Sequence, residues 1–359
     1  MLWNENFHSI IFYGWEILNQ IIILCSNIKC IKQFFSTCVI IQNDQLKAII
    51  LKEFGGVENL VQADIPVPEI SDNEVLVKVR AISINPVDIK TRKGKSLAST
   101  LKEYDPMILG WDISGTVERT GKKVTLFREG DDVFGMVNFP GHAKAYAEYV
   151  AAPEKHIALK PSNISHNEAA AASLAALTAW QILTVKAGIK PGNKILIHSA
   201  AGGVGHYAVQ MAKHLGLYVA STSSGKNKDF VLSLGASLHI DYEKEKFEDV
   251  LHDFDFVLDT IGGDYIDRSI KVLKPGGTII CIPSAAAEKL GEKASNAGMT
   301  GLHFMVQSDG KNMKEIAGLL EKGLIRSFVS KVFLPDEIQA AHLQIETGKT
   351  KGKIVISIE

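Results

Sequence analysis

The stretch Lys194-Ile195-Leu196-Ile197-His198-Ser199-Ala200-Ala201-Gly202-Gly203-Val204-Gly205 runs an apolar strand into a turn of small residues. Apolar positions Val204, Ala208, Met211 and Leu215 then continue at helical spacing. Such a unit can hold a pyrophosphate. Small residues let the backbone approach it, and the helix start offers unpaired N–H groups and the positive end of the dipole. Ala200 stands where the first glycine of G-x-G-x-x-G falls, and a tight turn without ligand is the alternative. The next strand ends in Ser221-Thr222-Ser223-Ser224-Gly225-Lys226-Asn227-Lys228. A site for a free ribose 2′-hydroxyl places an acid there, ~20 residues on. This segment has no acid, several hydroxyls and two lysines, groups that bind a 2′-phosphate. NADP(H) is expected, with Ser223, Ser224, Lys226 and Asn227 around the phosphate. A solvated helix start is the alternative, above all for Lys228.

These residues need a frame. From Lys194 the chain alternates short apolar strands with helices: Lys194–His198, Val204–Leu215, Tyr218–Thr222, Asn227–Leu234, Leu238–Ile240, Phe247–His252, Phe254–Asp259, Tyr265–Leu273 and Thr278–Ile282. The alternation predicts a parallel sheet with helices on both faces. Ligands in such sheets bind beyond the strand C-termini, here Thr260-Ile261-Gly262 and Ile282-Pro283-Ser284. Upstream, Lys47–Leu51, Glu74–Ile82, Asp112–Val117, Asp132–Met136 and Ala145–Ala151 read as short strands, and Asn167–Ala187 as alanine-rich helix. Helices near Met313–Lys322 and Pro335–Thr347 and a strand at Lys353–Ile358 close the chain.

A length of 359 residues leaves room for about two domains. The composition, 46% hydrophobic and 22% charged, excludes a wholly disordered, collagen-like or cysteine-stapled chain. A net charge of −1 offers no overall basic excess for nucleic acid or an anionic membrane. Cys25, Cys30 and Cys38 fall in the first 40 residues, so the main body holds Cys281 alone, with no internal disulfide or four-cysteine zinc site. A reduced, cytoplasmic protein fits.

Residues 1–45 differ from the rest, being rich in Ile, Phe, Leu and Cys. The longest charge-free run, Ile17–Ile28, falls short of the ~20 apolar residues of a spanning helix. Glu5 precedes any lysine, which a secretory signal does not favour. An over-extended gene start is the favoured reading, with a leucine codon at Leu46 able to initiate translation in many bacteria. A loosely attached segment and a membrane or targeting role are the alternatives.

Several stretches carry a family resemblance over nearly all of 46–359: Ile84-Asn85-Pro86-Val87-Asp88, Gly110-Trp111-Asp112-Ile113-Ser114-Gly115-Thr116-Val117, Ala145-Tyr146-Ala147-Glu148-Tyr149-Val150, Leu177-Thr178-Ala179-Trp180, the Ala-Ala-Gly-Gly-Val-Gly turn and Gly352-Lys353-Ile354-Val355. The chain resembles the zinc-free quinone oxidoreductase (zeta-crystallin-like) branch of the medium-chain dehydrogenase/reductases. The resemblance implies an α/β protein: a mostly-β GroES-like catalytic domain over 46–165 and 310–359, and a Rossmann doubly wound parallel-sheet domain over 166–309. The cofactor would lie in the cleft between them. Zinc alcohol dehydrogenases of the superfamily place a Cys near Asn85-Pro86-Val87-Asp88 and a Gly-His-Glu where this chain has Gly110-Trp111-Asp112. Tryptophan cannot ligate metal. Without zinc as Lewis acid, alcohol oxidation is not expected. Hydride delivery to a quinone or an activated C=C bond needs less help.

The resemblance also implies roles for single residues. Lys90 stands where many relatives carry tyrosine and the enone-reducing subgroup lysine. It is expected to contact the nicotinamide ribose or the substrate oxygen, where a cation would stabilise a developing enolate; a surface lysine is the alternative. Asn85 is expected to face the substrate, or to be a turn residue before Pro86. Thr178 is expected to touch the nicotinamide, or to be an ordinary helix threonine. Tyr242 is expected to cover the adenine, or to be a packed aromatic. Ala201, Gly202, Gly203, Val204 and Gly205 of the turn, Thr260, Ile261, Ile282, Pro283 and Ser284 beyond the strands, and Gly352 and Lys353 of the C-terminal motif complete the cofactor set. His198 reads as packed core, His206 as solvated, Asp112 as a loop-orienting residue and Cys281 as inert core.

The reading is an NADPH-dependent reductase of quinones or of the C=C bond of α,β-unsaturated carbonyl compounds. Its rivals are a zinc alcohol dehydrogenase and a non-catalytic NADPH-binding redox sensor or structural protein. The expected partners are a small quinone or enone/enal and, from the family, a second copy paired through the Rossmann sheet edge, with no nucleic acid and no membrane.

Overall fold

The computed structural model of the protein describes residues 45–186, 188–283 and 289–358. The extension, from Met1 to Asp44, and the site candidate Ser284 lie outside the described residues.

The first lobe begins with β1 (Gln45–Leu51), β2 (Leu60–Pro66) and β3 (Glu74–Ile84). Two short helices follow, α1 (Pro86–Arg92) and α2 (Ala98–Leu101). Then come β4 (Asp112–Thr120), β5 (Asp132–Met136), β6 (Tyr149–Pro153) and β7 (Ile157–Leu159). Helices α3 (His166–Ala171) and α4 (Leu174–Gln181) lead to the second lobe. There the chain alternates β8 (Lys194–Ile197), α5 (Gly203–His214), β9 (Tyr218–Ser223), α6 (Lys228–Ser233), β10 (Leu238–Asp241) and α7 (Phe247–Val250). It continues through β11 (Phe254–Asp259), α8 (Tyr265–Ile270), β12 (Leu273–Cys281), α9 (Leu290–Asn296) and β13 (Thr300–His303). Helix α10 (Gly310–Glu321), β14 (Val329–Phe333), α11 (Ile338–Glu346) and β15 (Lys353–Ser357) return to the first lobe.

The six strands of the second lobe are all parallel, in the order β10-β9-β8-β11-β12-β13. The order reverses between β8 and β11, which opens a crevice beyond their C-terminal ends. The central strands are covered on both faces, so Ile195-Leu196-Ile197 and Val257-Leu258-Asp259 are buried continuously rather than in alternation. In the first lobe β3 is the hub: it pairs antiparallel with β4 along most of its length, with β6 at its start and with β15 at its end. The C-terminal strand therefore starts against Ile84, next to Asn85, and runs back to Ala81.

Some expected boundaries shift, each for a tertiary reason. Ala145–Ala151 is a regular strand only from Tyr149. Before it, the chain is held in a sharp crossing, with Tyr146 O accepting from Ile49 N and Glu148 O from Val79 N, both at 2.8 Å. Helix α3 falls in the 166–309 segment, yet its buried Ala170 and Ala171 pack with Ala81 and Val355 on the first-lobe sheet. Strands β13 and β14 carry mostly exposed residues at sheet edges and lack an apolar run to announce them.

The cofactor cleft and its buried floor

The small-residue turn sits at the head of β8. Ser199 takes a left-handed conformation, φ 50°, and Gly202 N donates back to Ser199 O at 2.8 Å. Gly205 lets α5 approach β8: a Cβ there would lie 2.7 Å from Ala200 Cα. Gly202, Gly203 and Val204 are part-exposed, and the first N–H groups of α5 have no partner within their own helix. That arrangement can cradle an anion such as a diphosphate.

At the end of β9, Asn227 Nδ2 donates to Ser224 Oγ at 3.1 Å, and Lys226 is exposed beside them. Ser223 is turned inward, its hydroxyl 2.8 Å from His239 Nε2. Tyr242 lies next to this group, its N–H on Ser223 O at 3.4 Å and its ring 47% exposed. A carboxylate is also near. Asp241 leans on Gly225 and faces Lys244 at 3.8 Å, an acid from the third strand that inspection of the second strand alone does not reveal. Thr260 donates its hydroxyl to His198 O at 3.2 Å, which ties the end of β11 to that of β8. Ile261 is exposed at the rim, while Ile282 and Pro283 are half-buried.

Beneath the cleft lies a polar cluster. Asn85 is 1% exposed, so its amide does not present itself to solvent. Its Nδ2 donates to Asp112 Oδ2 at 2.8 Å and its Oδ1 accepts from Lys353 Nζ. Lys353 Nζ also donates to Ile84 O at 2.9 Å and faces Asp112 Oδ2 at 3.9 Å. Asp112 Oδ1 accepts from Leu174 N at 2.9 Å, at the start of α4. Asp88 Oδ2 accepts from Asn85 N at 2.6 Å, and its Oδ1 finds no partner. Burial raises Asp88 from 3.8 to about 8 and Asp112 to about 6, and lowers Lys353. Burial thus favours the neutral form of Asp88, while Lys353 and Asp112 face each other as an ion pair. Thr178, on α4, is buried and donates to Leu174 O at 2.7 Å, keeping lone pairs for a further donor. Lys90 lies on the exposed face of α1, with Pro86 and Val87.

Two family models match the chain: "Alcohol dehydrogenase GroES-like domain" over residues 71–162 and "Zinc-binding dehydrogenase" over 234–356. The chain is 37% identical over 322 residues to the 2-methylene-furan-3-one reductase of Solanum lycopersicum, covering 87% of this chain and 79% of that protein. It is 36% identical, with the same coverage, to the chloroplastic NADPH-dependent alkenal/one oxidoreductase of Arabidopsis thaliana. The solved quinone oxidoreductase from Coxiella burnetii aligns at TM-score 0.84 and 37% identity, over 88% of this chain and 100% of that one. The chain belongs to the quinone oxidoreductase branch of the medium-chain dehydrogenase/reductases.

As an oxidoreductase of this superfamily it must be asked whether it can hold zinc, and the residues do not fit. Trp111 is 1% exposed and donates its indole N–H to Gly141 O at 2.7 Å. Asn85 and Asp112 are committed to Lys353, whose ammonium already supplies the positive charge there. Among the described residues no group of three or more His, Cys, Asp or Glu is arranged to hold a metal. The residues fit NADPH better: an open glycine cradle, and a hydroxyl, an amide and an ammonium at the end of β9.

One expectation is corrected. His206 is not solvated but fully buried, near Gly202 O at 2.9 Å through Nδ1 and accepting from Phe328 N at 3.4 Å. Burial lowers it to about 4, so it is neutral. The cause is the segment 326–328, which covers the outer side of α5: Arg326 N donates to Gln210 Oε1 and Tyr207 OH to Ser327 Oγ. Lys353 also departs from a simple cofactor contact, since its ammonium points into the floor. Asp88 was missed; its one sequence signal is its place three residues after Asn85, where a carboxylate caps a helix start. His198 and Cys281 are buried, as expected of packed core.

Proposed function

We propose that the protein is an NADPH-dependent reductase of quinones and of the C=C bond of α,β-unsaturated carbonyl compounds, working without zinc. The observation that carries this is the floor of the cleft, where an indole and an amide, both already hydrogen-bonded, stand at the positions of metal ligands in zinc-dependent relatives. NADPH, when bound, supplies the hydride. The N–H groups of Gly203 and Val204 hold the diphosphate. Ser224, Lys226 and Asn227 hold the 2′-phosphate, and Tyr242 covers the adenine. Thr178 orients the nicotinamide end. Lys90, on the exposed face of α1, would offer its ammonium to the oxygen on which charge develops, which is worth most where water is excluded. A solvent proton completes the reduction. A second copy would join along the exposed edge of β13, and one thiol in the described body suits a reducing, cytoplasmic setting. Among the described residues no helix is long and apolar enough to cross a membrane.

The test is NADPH consumption by the full chain, offered matched panels of quinones and short 2-alkenones or 2-alkenals. Turnover on either panel is expected. Tight NADPH binding without turnover on both would replace this reading with a non-catalytic NADPH-binding sensor.

A further inference from the structure

The buried floor links the phosphate turn, Asn85 and the start of α4. Gly352 N donates to Ala201 O at 2.8 Å, so β15 enters directly under the phosphate turn. The stem of Lys353 runs below Gly203, its Cδ 3.3 Å from where a Cβ on that glycine would stand. The ammonium then reaches across to Ile84 O and Asn85 in the first lobe. Asp112, facing it at 3.9 Å, anchors Leu174 N and with it the helix that carries Thr178. Asp112 is 0% exposed and Lys353 3%, so neither charge leans on water.

We propose that Asp112 and Lys353 are positioning residues that hold the phosphate turn, Asn85 and the start of α4 in register, so that a cofactor anchored by its phosphates presents its nicotinamide at the right place. The inference rests on the function proposed above and deepens it. The pair does not bind the adenine half; it transmits the anchoring to the other end. A buried ion pair suits this use because its geometry is intolerant. Removing one partner strands the other charge, whereas removing both is far milder. The neutral Asp88 beside Asn85 keeps the count at one negative and one positive group. The other ionisable groups around the pair include His206, which is neutral, and the buried Tyr146 and Tyr207 near Asp112, whose hydroxyls burial keeps protonated.

The test compares Lys353→Met, Asp112→Asn and the double variant with the parent, all as full chains. Three quantities are read: affinity for 2′,5′-ADP, which occupies the adenine half alone; the fluorescence of bound NADPH, which reports the nicotinamide surroundings; and the rate of hydride transfer. For Lys353→Met we expect 2′,5′-ADP affinity within about threefold of the parent, altered nicotinamide fluorescence, and hydride transfer slower by about 100-fold, the order that a ~1 Å misplacement costs. The double variant is expected to regain about tenfold over Lys353→Met, a coupling of contacting groups that independent sites do not show. Loss of 2′,5′-ADP binding in step with hydride transfer would overturn the proposal and make Lys353 a phosphate ligand. Simple additivity of the two changes would also overturn it. If Lys353→Met fails to fold, the charge-neutral double variant carries the comparison: nicotinamide fluorescence changed with 2′,5′-ADP binding kept supports the proposal, and both unchanged sinks it. If the parent turns over no acceptor, the proposed function fails, yet the two binding readouts still judge the pair.

Discussion

Asp88 has no counterpart in ordinary surface chemistry. It is fully buried, bonded through one oxygen to the backbone of Asn85, and raised from 3.8 to about 8 chiefly by desolvation. A carboxyl raised in this way favours the folded state only while protonated. Between about pH 4 and about pH 8 the unfolded chain loses that proton and the folded chain keeps it, so stability falls as pH rises across the window. The slope is roughly 1.4 kcal/mol per pH unit. Asp112, raised to about 6, adds to the acid half. The buried His198, His206 and His342, lowered to about 3, 4 and 3, act in the opposite sense below their ordinary 6.5, so the reading is a difference between variant and parent. Asp88→Asn is expected to flatten the fall in stability up to pH 8, followed by urea unfolding at several pH values. A parallel pair of curves would show that Asp88 ionises normally. At this scale the sequence was most legible where chemistry is local. The members of the glycine turn lie within a few residues of one another, as do those of the Ser224–Asn227 group. The floor was not legible as a unit, because Asn85, Asp112 and Lys353 are far apart in the chain and meet only through β3, β4 and β15.

The elements obey their patterns where one face meets solvent and lose them where a remote segment covers it. Helix α5 shows the difference. Its apolar stripe is plain in the sequence, yet residues 205–212 are buried on all sides because 326–328 lies across the outer face. Nothing near His206 announces a segment more than a hundred residues away. The same helix offers a sharp test of the turn. In Gly205→Ala the new Cβ would crowd Ala200 and the carbonyl of Ser199, both backbone, which cannot yield as a side chain end can. Overpacking of this kind costs about 1–3 kcal/mol. A lower melting temperature and weaker NADPH binding are expected together. Unchanged NADPH affinity in the variant would mean that the turn does not carry the diphosphate. The edge strands β13 and β14 were invisible for a related reason. Half-exposed edges need no apolar run, and only their neighbours β12 and β15 define them.

For the whole molecule, the change from strand-rich to alternating segments was readable in the sequence, whereas the return of the C-terminus to the first lobe followed only from the family resemblance. The boundary was less readable: α3 follows the change of pattern but packs on the first-lobe sheet, since its alanines suit close approach to β3 and β15. Among the described residues β13 pairs with β12 alone, and with Leu302 37% and nearby Met305 47% exposed this edge is the surface proposed for a second copy. Sedimentation is expected to give twice 39.1 kDa, and Leu302→Lys to shift the population towards the single chain; a monomeric parent would rule out this edge as the interface. The central claim is that hydride goes to an activated double bond rather than to a carbonyl carbon. The most direct measurement uses NADPH deuterated at the transferring position with a 2-alkenone, and a quinone run beside it. The account predicts deuterium on the β-carbon of the saturated ketone. Deuterium on the carbinol carbon of an allylic alcohol would contradict it, as would a cofactor that stays bound and passes its label to neither acceptor.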